Sequence, residues 1–183
     1  MIGHNGGPTM QPGAAWRAHC WRAARAALLP TLPIEVLRLR VKRAKALGLE
    51  YKTYASVRAA SGHDVVAFLF SSNALRVHAL APTMDAAHTA RLLAAQDCSH
   101  IGLAVAPLGP GLLQAANPDS LQATHPAPYV LAKFRDQAQH IRAAVGVLPR
   151  AGVVLVGDHG LEHDWMVAGR LAAFIPAEHF FGA

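Results

Sequence analysis

Short apolar segments alternate with helical stretches from residue 62 onward, and this alternation constrains the fold more than any other feature. Three apolar segments have the length of buried strands: residues 65–70, 101–106 and 153–156. Helical periodicity is found at residues 85–95, at 129 or 133 to 145, and at 162–173. Alternation of this kind is typical of a mostly parallel sheet covered by helices on both faces. We therefore predict a three-layer, Rossmann-like α/β domain over residues 62–183, with a loop or a fragmentary helix at 107–128.

The chain before residue 62 has no strand pattern, and we predict a helical extension over residues 16–61. Residues 1–15 are rich in Gly, Pro and Asn, which favours a flexible tail. Two or three helices are expected in the extension, at residues 16–29 and 33–47 and, as the shorter third, at 51–60. In the second of these helices, the spacing predicts that one apolar face is formed by Ile34, Leu37, Val41 and Ala44.

Positive charge is concentrated in the first 60 residues. They contain ten Arg and Lys residues against only Glu35 and Glu50, whereas the rest of the chain contains seven basic and nine acidic residues. A positive segment of this kind attracts phosphates and acidic surfaces. We therefore predict that residues 16–60 engage an acidic protein partner or nucleic acid, with polyanion contacts from Arg38, Lys42, Arg43 and Lys45. The alternative is that these side chains are only the solvated face of a helix.

Several protein classes are disfavoured by composition. No apolar run approaches the roughly 18 residues that a membrane-spanning helix needs. The first 15 residues lack the cationic start and apolar stretch of a secretion signal. Cys20 and Cys98 are the only cysteines, too few for a disulfide framework or a thiolate metal site. We expect a cytoplasmic protein with reduced thiols.

Residues 133–169 contain a series of chemically informative residues in a fixed order. The series is Lys133 before a helix, a Gly-Val-Leu-Pro turn at 146–149, the apolar strand at 153–156, Gly157-Asp158, Glu162, and Ala168-Gly169. In this order and spacing the chain resembles the back half of the haloacid dehalogenase-like superfamily. The resemblance implies a parallel sheet with a phosphoryl-transfer site at the carboxyl ends of its strands.

The resemblance also implies roles for three residues. Lys133 would neutralise phosphate charge, while Asp158 and Glu162 would hold Mg²⁺. In this superfamily an earlier strand leads into Asp-x-Asp, but here Phe70 and Ser72 stand at the two Asp positions. No hydroxyl residue is present at 104–106, where the superfamily has a Ser or Thr. The resemblance thus implies a degenerate member that keeps the fold without the nucleophile.

From these patterns we expect a non-catalytic binding or regulatory protein. The alternative is a Mg²⁺-dependent, phosphatase-like hydrolase with atypical site residues, in which Lys133, Asp158 and Glu162 surround the phosphate. His159, Glu162 and His163 also form the His-x-x-Glu-His pattern of inverted zinc proteases. A structural interpretation of Asp158 is a helix N-cap, which needs no metal.

Overall fold

The computed structural model describes residues 32–129 and 131–182, and its centre is a five-stranded parallel sheet. The strands are β1 Ala67–Ser71, β2 Ser99–Ala104, β3 Ala123–Pro126, β4 Val153–Gly157 and β5 Ala173–Pro176. Their spatial order is β3-β2-β1-β4-β5, and each neighbouring pair is parallel. In this doubly wound arrangement the chain starts at the centre of the sheet and extends it first on one side and then on the other. The predicted Rossmann-like α/β class is confirmed.

Helices precede the sheet, connect its strands and follow the last strand. They are α1 Ile34–Ala46, α2 Tyr51–Ser61, α3 Ala86–Ala94, α4 Pro110–Ala116, α5 Phe134–Val145, α6 His163–Gly169 and α7 Ala177–Phe181. Short 3₁₀ turns at Arg150–Gly152 and Gly160–Glu162 lie on either side of β4. No helix within the described residues is long and apolar enough to span a bilayer.

The chain divides into two units, residues 1–38 and 39–183. Of the first unit the structure describes residues 32–38, which include the first turns of α1. The predicted tail and the predicted helix at 16–29 lie outside the described residues. The second unit begins at Leu39, so it contains the rest of α1 and all of α2, although the sequence pattern predicts both helices in the extension.

Two hydrophobic clusters cover the opposite faces of the sheet. Because side chains alternate along a strand, Phe68 and Phe70 of β1 enter one cluster while Ala67 and Leu69 enter the other. The Phe70 cluster includes buried side chains from the first two helices and from the residue that follows α1: Ala44, Leu47, Tyr54 and Val57. The Leu69 cluster is closed by α5 and α6, with Trp165 fully buried in it. Burial on both faces explains why the central strands have continuous apolar sequences.

The three predicted strands are confirmed with shifts of one or two residues at their ends. The strands predicted at 65–70 and 153–156 are parallel neighbours, with Phe70 opposite Val156 in the register. The helices predicted at 33–47, 51–60, 85–95 and around 133–145 are also present.

Two predictions for the later part of the chain are wrong. Residues 107–128 contain not only the helix α4 but also the edge strand β3, which pairs only with β2. The helix predicted at 162–173 ends at Gly169, because Arg170 adopts a left-handed backbone with φ 54°. The chain then forms β5, which pairs only with β4.

The predicted apolar face of α1 is also only partly correct. Ala44 is its buried residue within the helix, whereas Val41 is 46% exposed. The side of α1 that enters the core is continued by Leu47, which is fully buried just after the helix ends. Arg43 is partly buried near this side, because its guanidinium is bound by protein acceptors.

Candidate functional site

In a doubly wound sheet with this strand order, the binding crevice is expected at the carboxyl ends of β1 and β4. From β1 the chain builds outward to β2 and β3, and it then returns to place β4 on the other side of β1. The loops after β1 and β4 therefore leave in opposite directions, and ligands of such folds bind between them. Polar residues near these two strand ends include Ser71 as the last residue of β1, Ser72 and Asn73 directly after it, and Asp158, His159 and Glu162 after β4.

Glu162 is fully buried and accepts hydrogen bonds from both loops. We call this carboxylate and its donors the polar hub. The Ser71 hydroxyl donates to Oε2 at 2.9 Å, and the Asn73 amide donates to Oε1 at 2.8 Å. The backbone N–H groups of Asp158 and His159 also donate to Oε2, at 2.8 and 3.4 Å. A buried carboxylate is tolerated when it is hydrogen-bonded in this way. Glu162 therefore ties the loop after β1 to the loop after β4.

Gly157 has a steric role beside this carboxylate. A Cβ added at Gly157 would lie 2.6 Å from Glu162 Oε2 and 2.5 Å from the Phe174 ring. Only glycine leaves room for Glu162 to approach the end of β4. The Gly-Asp pair that contributed to the superfamily resemblance thus has a packing reason in this chain.

The two predicted metal ligands, Asp158 and Glu162, differ in exposure and in the contacts of their carboxylates. Both Glu162 oxygens are occupied by protein donors, and Asp158 contacts Glu162 through its backbone. The Asp158 side chain is 51% exposed and lies 3.9 Å from His159 Nε2. Within residues 32–129 and 131–182, no group of three or more His, Cys, Asp or Glu side chains could hold a metal ion.

Lys133 is the residue before α5 and is exposed. Its side chain makes no hydrogen bond or ion pair with any described residue, so the structure does not join it to Asp158 or Glu162. The three residues that the resemblance groups around a phosphate are therefore not connected by contacts here.

Phe70 and Ser72 stand at the two positions where the resemblance expects Asp. Phe70 is part of the core, and Ser72 directly follows β1. Phe70 is buried, with its ring centroid 5.2 Å from Phe180 and 5.8 Å from His100. Ser72 donates its N–H to Leu103 O at 2.9 Å, and its hydroxyl oxygen accepts from Val105 N at 3.1 Å. Phe70 fills space, and Ser72 extends the link between β1 and β2.

The inverted zinc-protease pattern does not form a helical pair of ligands. His159 precedes the 3₁₀ turn Gly160–Glu162, while His163 begins α6, so the two do not share one continuous α-helix. The His163 ring lies edge-on to Phe174 at 5.5 Å, and Glu162 is bound by the loop donors.

The four predicted polyanion ligands on α1 fall into two groups. Arg38 is exposed and forms an ion pair with Glu35 at 3.1 Å. Lys42 and Lys45 are exposed, and their side chains have no partner among the described residues. These three side chains are therefore on the surface, as the sequence predicted.

Arg43 is instead a structural residue, with its side chain only 23% exposed. Its guanidinium donates to Asp64 Oδ2 at 3.1 Å, to Val65 O at 2.9 Å and to Asp97 O at 3.1 Å. It thereby connects α1 to the segments that lead into β1 and β2. A guanidinium held by three acceptors has little capacity left for an external phosphate.

Asp64 was not singled out by the sequence, yet it is the centre of this second polar cluster. It accepts from the Tyr54 hydroxyl at 2.8 Å and from Val65 N at 2.9 Å, and it lies 3.8 Å from Arg58. Burial by itself raises the pKa of Asp64, but these hydrogen bonds and Arg43 outweigh it, so the pKa is lowered. Burial and the neighbouring Asp64 raise the pKa of Tyr54. No local motif marks this cluster, since its members come from four segments.

The side chains of Cys98 and His100 lie close together, and the sequence did not predict this pair as a site. Cys98 Sγ lies 3.4 Å from His100 Nε2, beside a cleft of about 360 Å³. Burial raises the pKa of the Cys98 thiol to about 11 and lowers the pKa of His100. Both groups are therefore neutral near pH 7, whereas a catalytic pair requires a thiolate beside an imidazolium. The pair also lies at the amino-terminal end of β2, whereas the crevice lies at the carboxyl ends of β1 and β4.

Comparison with known proteins adds no relative to this description. No protein-family model, no curated protein and no solved structure matches the chain significantly.

Proposed function

We propose that this protein is a non-catalytic binding or regulatory protein. Its α/β unit is a degenerate haloacid dehalogenase-like core, and its basic segment engages an acidic protein partner or nucleic acid. The observation that carries the proposal is the state of Glu162. At the place where an enzyme of this kind would expose carboxylates to a metal and a phosphate, this carboxylate is buried and accepts four protein hydrogen bonds.

The position of this polar hub supports the superfamily part of the proposal. Asp158 directly follows a central strand, β4, and Phe70 lies at the end of its parallel neighbour β1. These are the relative positions that the resemblance expects for the metal-binding acid and for the nucleophile. The chemistry is absent at the second position, because a buried Phe side chain has no atom that can attack phosphorus.

The basic part of the proposal depends on the residues of α1 that remain available. Lys42 and Lys45 are exposed and unpaired within the described part of the chain, and Arg38 is exposed beside Glu35. Each Lys or Arg that neutralises a phosphate releases a condensed counterion, which makes affinity depend on salt. Arg43 is excluded from this set because three acceptors already hold it.

The binding test compares the full chain with a triple variant, Arg38→Gln, Lys42→Gln and Lys45→Gln. The probes are a 20-nucleotide single-stranded RNA, a DNA duplex of equal length and polyglutamate, each titrated at several salt concentrations. We expect weaker binding of at least one probe. For the nucleic acids, the log–log salt slope should be smaller by about 0.7 to 0.9 for each phosphate that the variant no longer neutralises.

The matched control removes three other exposed cations: Arg135, Arg142 and Arg150. It changes the net charge by the same amount but leaves α1 intact, so we expect its affinity to stay near that of the wild-type protein. Equal affinity of the wild type and the α1 variant for all three probes would contradict the binding part of the proposal.

The catalytic part is tested with p-nitrophenyl phosphate and Mg²⁺. We expect no turnover above the rate in buffer, because the buried Phe70 stands where the resemblance expects the carboxylate nucleophile. Turnover that disappears in Asp158→Asn would replace the proposal with the phosphatase-like alternative.

A further inference from the structure

A cleft of about 540 Å³ lies between α1, α2 and α7, within the second unit and away from the crevice at β1 and β4. Its volume is in the range of small-molecule binding sites. Its cationic side chains are Lys45 and Arg91, and its apolar and aromatic walls include the exposed Val41 and the partly buried rings of Tyr51 and Phe181. A cationic rim above a flat apolar wall suits an anionic group attached to a planar apolar body.

Arg91 is the most informative of the cleft residues because it is held rigidly. Its Nε donates to Phe180 O at 2.9 Å, and its Nη2 donates to Gly48 O. The guanidinium also lies over the Phe180 ring, 5.3 Å from the centroid. Nη1 donates to no described residue, and no described carboxylate forms an ion pair with Arg91. A fixed cation with an unused donor needs little reorganisation to bind an anion.

Gly48 keeps that donor accessible. The residue has φ +69°, and a Cβ added there would lie 3.1 Å from Arg91 Nη1. A side chain at this position would therefore cover the unused nitrogen. Lys45, one turn earlier in the chain, has no partner among the described residues and adds a second positive charge to the same rim.

We propose that this cleft binds a nucleotide, with the phosphate on Arg91 and Lys45 and the base against Tyr51 and Phe181. Two cations favour the double negative charge of a phosphate monoester over a single carboxylate. Aromatic side chains provide stacking surfaces for any base. The inference deepens the proposed function and rests on it, since Lys45 belongs to the basic segment. The nucleotide is either free or the 5′-phosphorylated end of a single strand.

Glu50 also lines the cleft, and its exposed carboxylate opposes an anion there. It stands at the N-cap position of α2 without a side-chain cap bond. Removing its charge should therefore strengthen nucleotide binding without the loss of a cap bond in the helix. A purely structural cleft would give no such gain.

The experiment titrates the full chain with AMP, adenosine, inorganic phosphate and a 5′-phosphorylated hexanucleotide, using calorimetry and amide chemical shifts. We expect saturable AMP binding with a Kd below about 1 mM, and binding of adenosine or phosphate alone at least about tenfold weaker. Tighter binding of the hexanucleotide than of AMP would identify a nucleic-acid end as the ligand. Equal binding would identify a free nucleotide.

Three variants test the site. Lys45→Gln should weaken AMP binding about tenfold, Glu50→Gln should strengthen it, and Arg150→Gln should leave it within about twofold. Arg150 is the matched control, because it is an exposed cation that neither lines the cleft nor belongs to the basic segment. Absence of saturable binding below about 10 mM, or equal losses for the Lys45 and Arg150 variants, would overturn the proposal.

The outcome for the cleft is separable from the outcome for the proposed function. Loss of AMP binding in Lys45→Gln together with unchanged polyanion affinity of the triple α1 variant would refute the proposed function and keep the cleft. Salt-dependent polyanion binding without AMP binding would do the reverse.

Discussion

Replacement of Glu162 by Ala tests whether the polar hub between β1 and β4 is a structural element. The substitution removes the acceptor of four hydrogen bonds and leaves a small cavity. The Ser71 hydroxyl would lose its partner in a buried site, and the backbone N–H of Asp158 would lose it in a partly buried one. Asn73 is only partly buried, so its amide can turn to water.

The magnitude follows from the donors that remain buried. A buried donor without an acceptor costs about 1–3 kcal/mol, and bonds to a charged acceptor are at the upper end of that range. With one donor left buried without an acceptor and the other three partly solvated, we expect a decrease of about 2–4 kcal/mol in the free energy of unfolding. Domains of this size have about 5–15 kcal/mol in total. The variant should therefore be severely destabilised but not necessarily unfolded.

Glu162→Gln separates hydrogen bonding from cavity formation. The Gln side-chain oxygen can take the position of Oε2, which accepts most of the donors, while its amide faces Asn73. Asn73 can then rotate its own amide and accept. We expect this variant to lose only about 1 kcal/mol, because neutral bonds replace charge-assisted ones.

The assay is chemical denaturation followed by far-ultraviolet circular dichroism, with the midpoint and slope fitted for each variant. Glu178→Ala is the control, since its side chain is 70% exposed, and it should change stability by less than about 0.5 kcal/mol. A decrease below about 1 kcal/mol for Glu162→Ala would refute the structural interpretation of the hub. It would also make Glu162 available for the metal role that the resemblance implies.

Three further predictions address other parts of the structure. Gly157→Ala should cost about 1–3 kcal/mol in thermal or chemical unfolding, whereas Gly160→Ala, where an added Cβ meets no atom within 4 Å, should be nearly neutral. The pKa of Asp64 is lowered in the folded state, so its contribution is present above its unfolded value of 3.8 and is lost as pH falls through the lower folded value. The stability difference between wild type and Asp64→Asn should accordingly shrink as pH falls below about 3.8, and a constant difference would contradict the ionic role. Cys98, with a pKa of about 11, should react with iodoacetamide at pH 8 roughly a hundredfold more slowly than an unperturbed thiol, when measured in a Cys20→Ser background. Rapid alkylation of the folded protein would show that Cys98 is a reactive thiolate.

The amino-acid sequence by itself determined the fold class and the central strands. β1, β2 and β4 are each paired on both sides and buried on both faces, so their apolar runs are visible without any tertiary information. The edge strands β3 and β5 are four residues long, end in Pro and pair on one side only, and β3 also contains Thr and His. Their strand conformation depends on the neighbour that they meet, and that neighbour is known only in the folded chain.

The roles of the charged and polar residues were also decided partly by the sequence and partly by the tertiary structure. The sequence located the basic residues on α1, but only the fold showed that Arg43 turns to Asp64, 21 residues later, while Lys42 and Lys45 stay on the surface. The sequence placed Glu162 four residues after Asp158, and the superfamily resemblance implied a metal site for this pair. Tertiary structure brought Ser71, 91 residues earlier, to the same carboxylate and made it a buried acceptor. Local spacing cannot decide between these roles, because the hydrogen-bond partners of a buried group come from segments that are distant in the chain.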